Sequence, residues 1–186
     1  MALIDRIKGI VLEPKDEWPK IAAEPATTQS IYTGYAMLLA AIGPIATLIG
    51  FADLGVAWAL RIAIGSYVIS LVIVFLLAMI VDVLAPSFGG QKDFVAALKL
   101  TTYSYTAAWL AGIFHLIGVF GGLLVLIASV YAWYTFFLGA PVMRKCSADK
   151  AIPFTLILVL CGIALGVITG FALSGAGFAP PMRRPF

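Results

Sequence analysis

Residues Ile62–Leu84 read IAIGSYVISLVIVFLLAMIVDVL, an apolar run in which Asp82 is the single charged side chain. A membrane-spanning helix needs about 20 consecutive apolar residues, so this run predicts a transmembrane helix. The whole chain follows the same pattern, because 62% of its 186 residues are hydrophobic and only 11% are charged. A soluble domain has about 25% charged residues. The composition therefore favours an all-α membrane bundle and excludes an ordinary soluble enzyme and a nucleic-acid-binding domain.

The other apolar runs predict further spans on both sides of this one. We expect a five-helix membrane domain over residues 31–173, with spans at 31–51, 62–84, 101–117, 121–139 and 153–173. The apolar stretch 101–140 is divided into two spans because one helix of that length would far exceed the bilayer. The division is placed at a cluster of three glycines, Gly118, Gly121 and Gly122, which suggest a tight turn. Gly43-Pro44 is expected to kink the first span, and Pro153 to lie near the start of the last.

A leader and a tail flank the membrane domain. The leader, residues 1–30, begins with a short amphipathic helix over Met1–Leu12, because its apolar residues recur at helical spacing. The following polar stretch, 13–29, is interpreted either as a solvated linker or as an element lying on the membrane. The tail, 174–186, is rich in proline.

The distribution of basic residues predicts the orientation. With five spans, nine of the 12 lysines and arginines lie on the side of the amino terminus and three on the other side. Basic residues concentrate on the cytoplasmic side of membrane proteins. We therefore expect a multi-pass protein of the inner (plasma) membrane, with a cytoplasmic leader and an external tail. Three side chains of the leader side are expected at the membrane interface: Trp18, Arg144 and Lys145.

A stripe of small residues runs along the last span. Gly162, Gly166 and Gly170 recur every four residues and Ser174 follows. Such spacing places small residues on one helix face, where another backbone packs closely in lipid. The partner helix is expected in the same chain or in a second copy of it.

Four polar residues are candidates for an intramembrane site: Asp82, Ser104, Tyr105 and His115. Ionisable residues inside a membrane are rare and often functional. For Asp82 the alternatives are an ion or proton site and a structural role, in which it pairs with Lys92 or Lys99 or caps a neighbouring helix terminus. We predict the structural role, in which Asp82 fixes the second span against the start of the third. His115 is either a functional group, or a neutral ring that makes one interhelical hydrogen bond or lies at the outer interface. The spacing of acids, histidine and cysteines indicates no metal, no cofactor and no catalytic residues.

Three stretches resemble a known family. They read GIVLEP at 9–14 with EWPKI at 17–21, LAPSFGG at 84–90 with YSYT at 103–106, and GAPVM at 139–143 with DKA at 149–151. Together they resemble the bacterial YIP (Ypt/Rab-interacting protein) domain family. The resemblance implies a five-span membrane protein with a cytoplasmic amino terminus and no catalytic residues. Eukaryotic members of the family bind prenylated Rab GTPases and have much longer cytoplasmic leaders. Because the short leader resembles that of bacterial members, and bacteria have no Rab traffic, that partner is not expected here.

These observations favour a non-enzymatic membrane organiser or scaffold that binds partners through helix packing. Its expected partners are membrane lipids, and either a second copy of the chain or another membrane protein, but no nucleic acid. One alternative is a small transporter or channel for an ion or solute that uses Asp82 and His115. A further alternative is lipid handling by the basic and aromatic residues of the cytoplasmic edge.

The orientation is tested by reporters fused after Phe186. With five spans and a cytoplasmic leader, we expect alkaline phosphatase to be active there and green fluorescent protein to be dark. A control fusion in the leader, at residue 30, is expected to give the opposite result. A carboxyl-terminal reporter on the cytoplasmic side would contradict the count of five spans.

Overall fold

The computed structural model describes residues 2–117, 119–145 and 148–173. Within these ranges all regular elements are helical. The expectations for Gly118, Ser174 and the tail 174–186 lie outside the described residues.

Two short helices form the leader. They are α1, Leu3–Leu12, and α2, Pro14–Ala23. Pro14 occupies the first position of α2, where a missing N–H is tolerated because that group has no partner inside a helix. Ile10, Trp18 and Ile21 belong to the buried hydrophobic core. The polar stretch expected as a linker or a membrane-lying element is therefore in large part a helix packed against the rest of the protein.

Among the described residues, four long helices are apolar enough to cross a membrane, and the first and second of them follow the leader. Helix α3 covers Thr28–Gly50 and helix α4 covers Val56–Leu84, with a short 3-10 turn at Ala52–Leu54 between them. Thr27 and Ser30 form a capping box at the start of α3. Helix α3 is interrupted at Ala41. This interruption lies three residues before Pro44, where proline lacks the N–H that would bind the carbonyl of Ala40. The expected kink stays a prediction.

An interrupted helix follows the turn at Ala85–Phe88. It consists of α5, Phe94–Ser104, then α6, Thr106–Ala111, and a 3-10 segment, Gly112–Ile117. The carboxylate of Asp93 accepts a hydrogen bond from the backbone N–H of Ala96 at 3.0 Å and caps α5. The helix therefore begins seven residues before the expected span start at 101. The connection expected over 91–100 is largely helical.

The remaining two long helices are α7, Val119–Arg144, and α8, Ala148–Leu173. Both begin before the expected spans at 121 and 153, and α7 continues past the expected end at 139. Hydropathy marks only the part of a helix that is apolar, whereas backbone hydrogen bonding continues into polar residues. Pro153 consequently lies inside α8 rather than at its start.

The packing is densest at one end of the bundle, which we call the leader end because α1 and α2 lie there. Its core combines the leader with the adjoining ends of the long helices, and includes Trp18, Leu98, Leu100, Phe136 and Phe154. By contrast, only 22–28% of the most apolar window of each long helix is buried. The exposed remainder is apolar, as the bilayer requires.

A matched pair of glycines on α7 tests this packing. A Cβ atom on Gly139 would overlap the Trp18 ring and lie 2.7 Å from Leu100 Cδ1, whereas a Cβ atom on Gly122 would meet nothing within 4 Å. We expect Gly139→Ala to lower the free energy of unfolding in detergent by about 1–3 kcal/mol through overpacking. Gly122→Ala is the control and should leave it unchanged or raise it by up to about 1 kcal/mol. Equal effects of the two substitutions would contradict the docked position of Trp18.

Candidate functional site

A buried arginine organises the leader end. The Arg144 side chain is 1% exposed, and its Nη2 donates to Oδ1 of Asp82 at 2.9 Å. The same guanidinium donates to the backbone carbonyls of Gln91 and Asp93, each at 2.5 Å. Because arginine carries five donors in a fixed plane, one side chain can hold several acceptors at once. Arg144 thus joins the end of α7 to the end of α4 and to the connection before α5.

Asp82 completes this arrangement from the other side. Its Oδ1 also accepts the backbone N–H of Asp93 at 2.7 Å. The carboxylate therefore fixes the end of α4 against the start of α5. The expected cationic partner, Lys92 or Lys99, is wrong: the structure places Arg144 there. The reason is that α7 extends beyond its apolar part and brings Arg144 level with Asp82.

A second charged cluster lies within the leader. Arg6 forms ion pairs with Glu17, at 2.5 Å, and with Glu24. The side chains of Arg6 and Glu17 are only 5% and 2% exposed. Lys20 also pairs with Glu17, at 3.0 Å, and Arg6 lies over the ring of Tyr103 with its guanidinium carbon 5.7 Å from the centroid. The Arg6 charge therefore bonds α1 to α2 and contacts α5 through a cation–π interaction.

Lys99 connects this cluster to α5. Its Nζ donates to the backbone carbonyl of Ile21 at 2.8 Å and to that of Glu24. These carbonyls lie at the end of α2, where a helix leaves carbonyl groups unpaired and carries partial negative charge. A lysine there satisfies both requirements. Lys99 thus binds the leader and does not pair with Asp82.

Trp18 fixes the leader to α7. Its side chain is fully buried, and its indole N–H donates to the carbonyl of Thr135 at 3.0 Å. Tyr131 donates its hydroxyl hydrogen to the carbonyl of Val11 at 2.7 Å. Trp18 and Arg144, expected at the membrane interface, are both buried within the protein, whereas Lys145 is exposed just after the end of α7. The position of all three at the level of the interface stays a prediction.

Ser104 and Tyr105 lie at the interruption between α5 and α6. With Ser129 and Trp133 they line a small cavity of about 60 Å³. The Ser104 hydroxyl is buried and has no hydrogen-bond partner among the described residues. A polar cavity of this size has room for ordered water.

His115 lies elsewhere, in a cleft of about 390 Å³ between α3, α4 and the end of the interrupted helix. Its Nδ1 is 2.8 Å from the carbonyl of Gly112, within its own helix. The four polar candidates are thus distributed over three places: Asp82 in the Arg144 cluster, Ser104 with Tyr105 at the small cavity, and His115 in the cleft. They form no single site.

The glycine stripe on α8 is only partly packed. A Cβ atom on Gly162 would lie 2.7 Å from Trp133, so this glycine lets α8 approach α7. A Cβ atom on Gly166 or Gly170 would meet nothing within 4 Å. Among these glycines, close packing within the chain is therefore seen at Gly162 and not at Gly166 or Gly170.

No cluster of three or more potential metal ligands occurs among the described residues. The sequence analysis did not single out Arg6 and Glu17, and it expected Lys99 beside Asp82 rather than against the leader. Arg6 and Glu17 carry opposite charges and are close in sequence, which is compatible with an ion pair. Nothing in their spacing, however, indicated that they would be buried.

Comparison with known proteins gives one match. The family model described as the Yip1 domain matches residues 8–169. No significant match was found among curated proteins or among solved structures.

The role of Asp82 is tested by two substitutions at that position. Asp82→Asn keeps an oxygen acceptor for Arg144 and for Asp93 and should cost about 1 kcal/mol of unfolding free energy. Asp82→Leu leaves the buried guanidinium unpaired and should cost about 3 kcal/mol or more. Thermal unfolding in detergent measures both, with Asp53→Leu at an exposed position as the control. Equal stabilities of the Asn and Leu variants would contradict the role of Asp82 as the partner of Arg144 and of the Asp93 N–H.

Proposed function

The chain belongs to the Yip1 domain family, and because four of its helices are apolar enough to span a membrane, we propose that it is a non-enzymatic scaffold of the inner membrane. A family member with four such helices is a multi-pass membrane protein in contact with lipid. In our proposal its leader is cytoplasmic and its tail external.

The interrupted helix is the fifth span in this proposal. It runs antiparallel to α4, since Asp93 bonds to Asp82 near one end and Trp109 donates to Ser70 further along at 2.8 Å. Its eighteen α-helical or turn residues and its 3-10 segment together extend over about 35–40 Å, enough for a hydrocarbon core of about 30 Å. Its polar residues Thr101, Thr102 and Thr106 are buried against protein. Burial inside the bundle would allow a helix of modest hydropathy to cross the bilayer, which supports its assignment as the fifth span.

The observation that carries the scaffold proposal is the closed leader end. The Trp18 ring and the Arg6–Glu17 pair fill the space between the leader and the long helices, and Arg144 ties their ends together. Asp82 is engaged in that structure and is separated from the cleft that contains His115. This arrangement favours a rigid platform and argues against a conduit in which Asp82 lies on the path of an ion.

The exposed side of the leader offers a surface for a partner. A groove of about 270 Å³ runs over α1 and α2, and charges of both signs line it. They are Asp5, Lys8, Glu13, Glu17 and Lys20. Leu12, at the same groove, is 74% exposed. Interspersed charges around an exposed apolar residue suit recognition of a protein surface of complementary charge.

Transport is the second candidate, and the His115 cleft is the observation that favours it. Polar groups facing a cavity inside a membrane protein often mark a substrate pathway. In the described residues, however, the small cavity beside Ser104 and the cleft beside His115 are separate. A transporter would need a rearrangement that joins them.

Reconstitution into liposomes separates the two candidates. We expect proton and potassium flux at the level of protein-free liposomes, both for the wild type and for Asp82→Asn. Circular dichroism and gel filtration confirm that each sample is folded. Flux that the wild type supports and Asp82→Asn abolishes would contradict the scaffold proposal and favour transport.

Site-specific photo-crosslinking tests the partner surface in cells. A photoreactive residue at Leu12 should give discrete protein adducts. The same residue at Val68, which is 51% exposed on the apolar surface of α4, is the control and should react with lipid. Adducts from Leu12 that weaken on charge reversal of Lys8 would support recognition by charge. The same adduct pattern at both positions would contradict a partner surface on the leader.

A further inference from the structure

The cleft that contains His115 has the size and lining of a small-molecule site. Its volume of about 390 Å³ lies within the range of about 300–1,000 Å³ that is usual for such sites. It is walled by α3, α4 and the end of the interrupted helix. Gly112 lets the backbones of two walls meet, since a Cβ atom there would lie 2.7 Å from the Cα atom of Gly43. The two walls are thus held together by backbone contact, and the cleft is already formed when no ligand is bound.

The hydrogen-bonding groups of the cleft are few and specific. The Gly112 carbonyl can only accept, so Nδ1 of His115 carries the proton in this contact. In the neutral ring Nε2 is then an acceptor, and it has no partner among the described residues. Ser70 accepts from the Trp109 indole at 2.8 Å, and Ser66 donates to the carbonyl of Ala63 at 3.1 Å. Ser70 therefore keeps a hydrogen to donate, and Ser66 keeps lone pairs to accept.

The remaining lining indicates the character of the ligand. Apart from His115, none of the residues that line the cleft is titratable, and most are apolar. A charged group would lose its hydration there without an ionic partner, which is costly. A neutral molecule with one polar group and an apolar body matches this lining.

The position of the cleft indicates the source of the ligand. Its walls are the apolar parts of α3 and α4, and none of the described lining residues comes from α7 or α8. Both helices are apolar enough to span a membrane, so the cleft lies at the depth of the lipid in the proposed arrangement. This depth and the apolar lining favour a molecule dissolved in the membrane over one that arrives from water. The volume favours a single chain over a two-chain phospholipid.

We propose that this cleft binds a neutral single-chain lipid with a hydroxyl group, which donates a hydrogen bond to Nε2 of His115 and accepts one from Ser70. The site is independent of the scaffold role and of the leader surface. It adds a ligand of defined chemistry to a part of the molecule that the proposed function does not use.

Nitrogen NMR of the imidazole provides the test, because His115 is the only histidine of the chain. The full-length protein, labelled with 15N-histidine, is placed in lipid nanodiscs and titrated with 1-dodecanol. We expect the Nε2 resonance to move upfield in a saturable manner, as an imine nitrogen does when it accepts a hydrogen bond. Dodecane, which has the chain without the hydroxyl, should leave it in place. Dodecyl phosphate tests the claim of neutrality and should have less effect than the alcohol.

Retention of a brominated alcohol, measured by quenching of tryptophan fluorescence, gives a second readout, because Trp109 lines the cleft. Loss of one hydrogen bond in His115→Phe should weaken retention about tenfold. Ser129→Ala, at the other cavity, is the matched control and should retain the alcohol normally. The proposal is overturned if saturating dodecanol leaves Nε2 unmoved, if dodecane moves it equally, or if dodecyl phosphate moves it more. The wild-type spectra decide these points even if His115→Phe fails to fold.

Discussion

The burial of the Trp18 side chain is the contact on which the leader end depends. The ring fills the space that Gly139 leaves on α7, and its N–H finds an acceptor in the Thr135 carbonyl. An indole buried without that acceptor would be costly, so one docking position satisfies both its apolar and its polar requirements. With Trp18 in place, α1 and α2 cover the ends of the long helices, and the leader becomes part of the bundle.

The buried charges follow from the same docking. Arg6 and Glu17 are removed from water by the leader that they connect, and Arg144 by the chain that turns from α4 into α5. A buried ion pair adds little net stability, but loss of one partner is strongly unfavourable. Such pairs therefore specify one arrangement of the helices. A rigid end of this kind is the physical basis for proposing a scaffold.

Much of the fold could be predicted from the sequence, because hydropathy reports what a lipid solvent requires. It indicated the all-helical class and a series of apolar helices, four of which the described residues contain. The fifth span and the division of the stretch 101–140 stay predictions. Helix ends were placed less well, since capping by Asp93 and the extension of α7 to Arg144 depend on polar residues. The site was largely missed, because burial of Arg6, Glu17 and Trp18 results from tertiary packing. Asp82 was assigned a structural role but the wrong partner, for the same reason.

The docking of Trp18 on α7 is tested most directly by the distance between the Trp18 indole nitrogen and the Thr135 carbonyl carbon in lipid bilayers. Rotational-echo double resonance with 15N-indole tryptophan and 13C-carbonyl threonine measures it, and Trp18→Phe identifies the signal. A hydrogen bond of 3.0 Å to the carbonyl oxygen predicts strong dephasing at a separation of about 4 Å. An undephased Trp18 resonance, in folded protein, would mean that the leader lies apart from α7 and would contradict the closed leader end.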